Sequence, residues 1–366
     1  MTKPACTHTE LHIGSRPVGP GQPCYVIAEI GSNHNGDYRV AVDLVKRCAE
    51  AGVDAVKFQD FSREDLFVPA LPPERTPEWE ARQALLTKRW KLLPDYTANP
   101  DWWPELAELA SEVGVDFLCS PFSLEAVARL NHVGVPAWKI ASGDITWHEL
   151  VQTAAATKKP LIISTGASDL EEVEQAVVQA REAGCTQIIL LHCVSNYPPR
   201  WEDANLLAIT ALAERFQVPV GLSDHSPGSV LPVAALALGC CVVEKHVTLD
   251  RKQPGLDHHF ALEMGELAQL VRDIRHAELA LGTGVKQWAD AEEIERYWVR
   301  RGLWTTGPIT AGSVIRRDQL AVLRPSQGLQ ASALGKAVGA TAARDLAAGE
   351  PLVADDILPR SGERDD

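Results

Sequence analysis

The stretch CVVEKHVTLDR, residues 241–251, starts as an apolar run and ends in three titratable groups, Glu244, Lys245 and His246. A strand leaving a core has to meet water, so one such ending decides little. The same ending recurs along the chain. Short β-branched segments alternate with longer Ala/Leu/Glu-rich stretches of helical period: CYVIAEIG then DYRVAVDLVKRCAEAG, VDAVKFQ then WWPELAELASEVG, VDFLCS then SLEAVARLNHVG. The series continues through AWKIAS, PLIIST, QIILLHC, VPVGLS and CVVEKH. Runs apolar on both faces, joined by helical crossovers, predict a parallel sheet. Eight such units predict a closed (β/α)8 barrel rather than an open doubly wound sheet. Gly52, Gly114, Gly134 and Gly184 fall just after helical stretches, where a left-handed cap is favoured.

Read in order, the strand ends give Glu29, Lys57 with Gln59, Ser120, Lys139 with Ser142 and Asp144, Ser164 with Thr165, His192, Ser223 with Asp224 and His225, and Glu244 with His246. In a barrel of this kind that rim carries the chemistry, and the opposite rim serves stability. Lys57 and Lys139 come from strands that are not neighbours, so they can face each other across the mouth with Ser120, Ser142 and Ser164 between them. Two ammonium groups, hydroxyls and backbone donors suit a phosphate and a carboxylate on one small ligand. Either lysine alone also suits a Schiff-base nucleophile or a structural ion pair. His225 and His246 come from adjacent strands. Two converging imidazoles suit a divalent metal with open positions, general acid–base work, or a packed core. His34 in GSNHNG reads as a turn residue or a site residue, and His258 and His259 as a cover over the site or as plain loop residues.

Composition narrows the function classes. With 366 residues, 45% of them hydrophobic, the chain is long enough for one large domain and a small one. A formal charge of −14 argues against a nucleic-acid surface and an anionic membrane, and leaves room for a small anionic substrate where cations gather locally. The N-terminus lacks the apolar stretch of a signal peptide, and no run is long enough to cross a bilayer. Eight cysteines without a C-x-x-C pair read as reduced core residues. Together these features predict a cytoplasmic protein.

IAEIGSNHNGD, VKFQ, SPF, KIASGD, STG, HCVSNYP, GLSDHS, EKHVTLDR and GLDHHFAL occur in this order. The chain thereby resembles the sialic acid (N-acetylneuraminate) synthase family across nearly its whole length. The resemblance implies condensation of phosphoenolpyruvate with N-acetylmannosamine or a related hexosamine aldehyde, giving a nine-carbon 2-keto acid and phosphate. It implies a divalent ion, manganese or magnesium, on His225 and His246. It places phosphoenolpyruvate on Lys57, Ser120, Lys139, Ser142, Ser164, Ser195 and Ser223, and the sugar on Glu29, Gln59, Tyr197 and Asp257. Asp144 stands where the family has Glu or Asp near the reacting carbons. At Ser195 many members carry Asn. Synthases of legionaminic or pseudaminic acid and of N-acetylneuraminate 9-phosphate share these motifs, and a non-catalytic carbohydrate-binding protein is the alternative from another class.

Residues 309–320, ITAGSVIRRDQL, and 346–357, LAAGEPLVADDI, share one pattern. Such a repeat, with Gly at a turn, predicts a small pseudo-symmetric β module. It resembles the antifreeze-like, or SAF, domain that ends these synthases. The resemblance implies a domain-swapped homodimer in which Arg324 of one subunit reaches the sugar bound by its partner. The expected domains are the barrel over 1–282, a helical linker over 283–298 and the SAF domain over 299–366. Between the second strand and WWPELAELASEVG lies a long Trp-, Pro- and Arg-rich insertion, which reads equally as a lid or as a packed surface excursion.

Overall fold

The computed structural model describes residues 11–72 and 76–358. The N-terminal residues 1–10, which bear on the expected lack of a leader, lie outside that range, as do the two outer ends of the expected domains. The chain divides into two compact units, Met1–Gly282 and Thr283–Asp366.

The first unit opens with an antiparallel hairpin, β1 (Leu11–Ile13) and β2 (Arg16–Val18). The βα series follows: β3 (Tyr25–Gly31), α1 (Tyr38–Glu50) and β4 (Ala55–Asp60). The insertion carries α2 (Arg63–Leu66) and α3 (Pro77–Leu92). Next come α4 (Trp103–Glu112), β5 (Asp116–Pro121), α5 (Leu124–Val133), β6 (Trp138–Ile140), α6 (His148–Ala155), β7 (Leu161–Ser164) and α7 (Leu170–Glu182). The unit ends with β8 (Ile188–Cys193), α8 (Leu207–Phe216), β9 (Val220–Asp224), α9 (Val230–Leu236), β10 (Val242–Thr248), β11 (Leu262–Glu263) and α10 (Met264–Leu281).

Eight parallel strands pair in the order β5-β4-β3-β10-β9-β8-β7-β6. β5 and β6 lie side by side across the remaining seam, so the barrel is nearly closed. Alternation along each strand separates two cores. Val26, Ala28, Val56, Leu222 and Val243 face the helices, in one large cluster with Leu44, Leu106, Leu130 and Leu270. Ile27, Ala55, Leu118, Ile162, Ile189, Leu191 and Val242 fill the lumen. Leu11, Ile13 and Val18 belong to the lumen cluster, so the β1–β2 hairpin plugs the floor of the barrel. Helix boundaries follow local chemistry. α5 begins at Ser123, whose side chain accepts from the Ala126 N–H, and ends at Gly134, in a left-handed conformation with φ of 91°.

The insertion packs largely on itself. α3 buries Leu86 alone, Arg63 lies over the Trp90 ring at 4.7 Å, and Arg89 lies over Phe67 at 5.8 Å. Its root is firmer: Asp60, buried at the end of β4, accepts from Trp103 Nε1 at 2.9 Å and from Arg129 at 2.8 and 2.9 Å.

The first α-helix of the second unit, α11 (Glu293–Val299), falls in the segment 283–298 expected as a linker and runs one residue past it. β12 (Gly302–Thr305) pairs antiparallel with β13 (Leu320–Leu323). After the short α12 (Leu334–Ala337), β14 (Thr341–Ala342) pairs with β15 (Ile357–Leu358). The repeat seen in the sequence is a repeat in space. Its first residues, Ile309 and Leu346, exchange backbone hydrogen bonds of 3.0 and 2.9 Å. Equivalent positions Ile315 and Leu352 both enter the small core, and Gly312 and Gly349 share a left-handed φ of 78° and 77°.

Candidate active site

Strand register sets the levels of the mouth. Glu29 on β3 stands beside His246 on β10 and Lys57 on β4, Gln59 stands beside Ser120 on β5, and Glu244 stands beside Ser223 on β9. Lys57, Lys139, Glu29 and Glu244 are all buried. Lys57 Nζ lies 2.7 Å from Glu29 Oε2 and 3.6 Å from Glu244 Oε1, while Lys139 Nζ lies 3.8 Å from Glu244 Oε2. Each lysine also donates to a serine, Lys57 to Ser120 at 3.2 Å and Lys139 to Ser164 at 2.7 Å. Ser223 donates to Glu244 at 3.2 Å, and Gln59 donates to Glu29 at 2.6 Å.

The electrostatics of this group are uneven. Burial disfavours charge on every member. At Lys57 burial is outweighed by Glu244 and Glu29, so its ammonium is held above the ordinary lysine range. At Lys139 burial prevails, with Lys57 adding to it, and the group is easier to deprotonate than usual. Burial also acts on Glu244, but Lys139 and Lys57 overcome it and keep that carboxylate charged. Glu29 is pushed up to about 7, by burial first and against the pull of Lys57. One lysine held charged, one that gives up its proton more readily than usual, one carboxylate held charged and one carboxyl that titrates near neutrality therefore share the mouth. Removing either partner of such a set would strand a buried charge.

The imidazole pair sits on the neighbouring strands. The ring centroids of His225 and His246 are 5.2 Å apart. Burial lowers His225 to about 4 and His246 well below the histidine range, so both rings are neutral. His225 Nδ1 donates to the Val194 carbonyl at 3.2 Å, which fixes the tautomer and leaves the Nε2 lone pair free. Among the described residues, the buried His246 Nδ1 has no hydrogen-bond partner. Asp257 Oδ2 is 3.7 Å from it, and burial raises that carboxyl to about 6. Two neutral rings, one oriented from behind and one with an orphaned nitrogen, fit a divalent ion. Among the described residues no cluster of three or more His, Cys, Asp or Glu side chains is placed to hold a metal. An ion here would keep open positions for water and substrate. Phe260 and Tyr197 wall this half, with centroids 4.9 Å from His246 and 4.2 Å from His225 respectively.

The remaining expected residues fall in two groups. Ser142 accepts from the Gly166 N–H at 3.0 Å, and a Cβ at Gly166 would meet Ser195 Oγ, Ser142 Oγ and Cys193 Sγ. Ser142 and Ser195 therefore flank the loop after β7. Asp144 is half-buried, and burial raises it to about 6 against Lys139. Arg324 belongs to the second unit and is exposed.

Not every polar strand end reaches the mouth. Lys245 and Asp224 alternate out of the lumen and pair with each other at 2.8 Å, Lys245 also donating to the Ser226 carbonyl. His192 turns the same way and hydrogen-bonds to the Ala204 carbonyl at 2.8 Å. His34 accepts from the Gly36 N–H at 3.0 Å and packs on Phe58 and Trp102, a turn residue. Three residues without a role in the sequence reading, Glu244, Gly166 and Phe260, belong to the site. Glu244 was visible as a strand end, without its inward direction; Gly166 and Phe260 carry no chemical signal in sequence.

A nearly closed parallel barrel with paired buried lysines and paired neutral imidazoles at one mouth has the layout of an enzyme that takes a small anionic substrate. Sequence comparison is more specific: the NeuB family pattern matches residues 44–286 and the SAF domain pattern residues 300–358. The chain belongs to the NeuB family. The N,N'-diacetyllegionaminic acid synthase of Legionella pneumophila is 37% identical to it, over 93% of this chain and 96% of that protein. The pseudaminic acid synthase of Helicobacter pylori is 33% identical, over 92% and 98%. Among solved structures, the N-acetylneuraminic acid (sialic acid) synthetase of Leptospira borgpetersenii superposes with a TM-score of 0.69 at 32% identity, over 78% of this chain and 95% of that one.

Proposed function

We propose that this chain is a nonulosonic acid synthase that condenses phosphoenolpyruvate with an N-acetylated hexosamine in its open-chain form. The products are a nine-carbon 2-keto acid and inorganic phosphate. Membership of the NeuB family supports this reading, and so do relatives that make legionaminic and pseudaminic acids. The observation that carries it is the Lys57–Glu244–Lys139 array facing two neutral imidazoles in one mouth.

Lys57 and Lys139 neutralise the phosphate and carboxylate of phosphoenolpyruvate, with Ser120, Ser142, Ser164, Ser195 and Ser223 as hydroxyl partners. Glu29, Gln59, Tyr197 and Asp257 line the acceptor side. His225 and His246 would hold the divalent ion, manganese or magnesium, which when bound supplies a Lewis acid for the sugar aldehyde oxygen. The enol carbon attacks the aldehyde carbon, water adds at the adjacent carbon, and phosphate leaves with C–O cleavage. Glu29 and Asp144, raised to about 7 and about 6, carry protons near neutral pH. Arg324 of a partner subunit completes the sugar side in a domain-swapped homodimer. We place the reaction in the cytoplasm, in keeping with the seven buried free cysteines among the described residues. None of the described helices is long and apolar enough to cross a membrane.

The test is phosphate release from phosphoenolpyruvate with manganese and a panel of N-acetylmannosamine, its 6-phosphate and diacetamido hexoses. Release that depends on one acceptor is expected, and none with any acceptor overturns the reading in favour of a non-catalytic binding protein. His225→Ala is expected to lose roughly 100-fold or more in turnover with manganese saturating. Full activity in that variant refutes the ligand assignment.

A further inference from the structure

We propose that His258 is a positioning residue for the acceptor half of the site: it pins the loop that carries Asp257 and Phe260 to the loop that follows β3. The loop leaves β10 at Thr248 and returns at β11, which pairs in parallel with β10 through Val247 and Leu262. Its two ends are thus fixed to the barrel. Its middle is held from inside. His258 is buried, with Nε2 3.0 Å from Asn35 Oδ1 and Nδ1 2.7 Å from Thr248 Oγ1.

The two contacts fix the tautomer. Asn35 Oδ1 only accepts, so His258 donates from Nε2, and its Nδ1 then accepts from the Thr248 hydroxyl. The ring is neutral, in line with the lowering of its pKa by burial. Asn35 sits at φ of 51°, a conformation uncommon outside glycine but accessible to asparagine, and its amide also donates to Gln253 at 3.3 Å. Gly255 completes the seat, since a Cβ there would lie 2.8 Å from His258 Nε2. With His258 turned inward, its neighbours are aimed at the site. Asp257 Oδ2 lies 3.7 Å from His246 Nδ1. The Phe260 ring lies 4.9 Å from His246 and 5.8 Å from His225. Among the described residues, the hydrogen bonds of Lys57 and Lys139 go to Ser120, Ser164 and the Ile140 carbonyl, and those of His258 to Asn35 and Thr248, so the anion half and the clamp use separate partners.

The inference rests on the synthase reading, and the experiment separates their failures. Steady-state kinetics with phosphoenolpyruvate, manganese and the accepted hexosamine would be compared for wild type, His258→Ala, His258→Gln and Asn35→Gly, with a thermal melt of each. Asn35→Gly removes the acceptor while keeping the left-handed backbone, so it tests the clamp even if His258→Ala does not fold. The expected result is a fall of roughly 10- to 100-fold in kcat/KM for the hexosamine with the phosphoenolpyruvate KM within about twofold. Partial recovery is expected in His258→Gln. Both KM values rising together, or a lowered melting temperature with unchanged kinetics, overturns the positioning role. A wild type without turnover overturns the synthase reading and this proposal with it.

Discussion

Glu29 shows how one side chain ties the site to the stability of the whole. It is buried beside a cation and a second carboxylate, and its pKa rises from an ordinary 4.5 to about 7, with burial the largest cause. The sign of the pH effect follows from linkage. Below pH 4.5 the carboxyl is protonated in both folded and unfolded chains and costs nothing. Between pH 4.5 and 7 the unfolded chain releases the proton while the folded chain retains it, so stability is lost as pH rises through this window. Above 7 both forms are ionised and the loss stops growing. Glu29→Gln removes this contribution. The melting temperature of the variant, measured against wild type from pH 4.5 to 8, is expected to gain steadily and then level off above about pH 7.5. Parallel curves would show that Glu29 keeps an ordinary pKa. The sequence places Glu29, Lys57, Lys139, His225 and His246 at strand ends, and a strand end is a local property. What Glu244 does is not local. Of the neighbours Ser223, Asp224, Glu244 and Lys245, one pair enters the lumen and the other backs onto the helices, and only the phase of each strand decides which.

At the level of elements, the βα series was legible because parallel strands buried on both faces leave continuous apolar runs. The floor was not. β1 and β2 have three residues each, too few for a period-two pattern to stand out, and their burial depends on a barrel that forms later in the chain. Ile13 is fully buried in the lumen cluster with Leu11, Val18 and Tyr25. This cluster is at the end of the barrel away from the mouth, so stability and chemistry should separate. Ile13→Ala is expected to cost about 2–5 kcal/mol in urea unfolding, because a deleted buried side chain leaves a cavity as well as lost transfer energy. The kinetic parameters of the folded fraction should stay within about twofold of wild type. A large change in the phosphoenolpyruvate KM would mean that the floor communicates with the site. The clamp at His258 was unread for a related reason: its contact with Asn35 spans 223 positions in sequence.

For the molecule as a whole, the question is whether a chain with two compact units works alone. The exposed side chains of the second unit include Ile294, Tyr297 and Trp298 on α11, and Arg324 after β13. The proposed swapped dimer makes a prediction that no arrangement within one chain shares. Take His225→Ala, whose barrel is disabled but whose Arg324 is intact, and Arg324→Ala, whose barrel is intact. Each alone is expected to be nearly inactive toward the hexosamine. Mixed after reversible dissociation at equal amounts, random pairing makes half of the dimers mixed. Each mixed dimer has one barrel with His225 facing an intact partner Arg324. Activity should therefore return to about a quarter of wild type. If Arg324 instead serves the barrel of its own chain, the intact barrels always meet the mutated residue and mixing restores nothing. If Arg324→Ala alone retains full activity, the arginine has no part in the acceptor site.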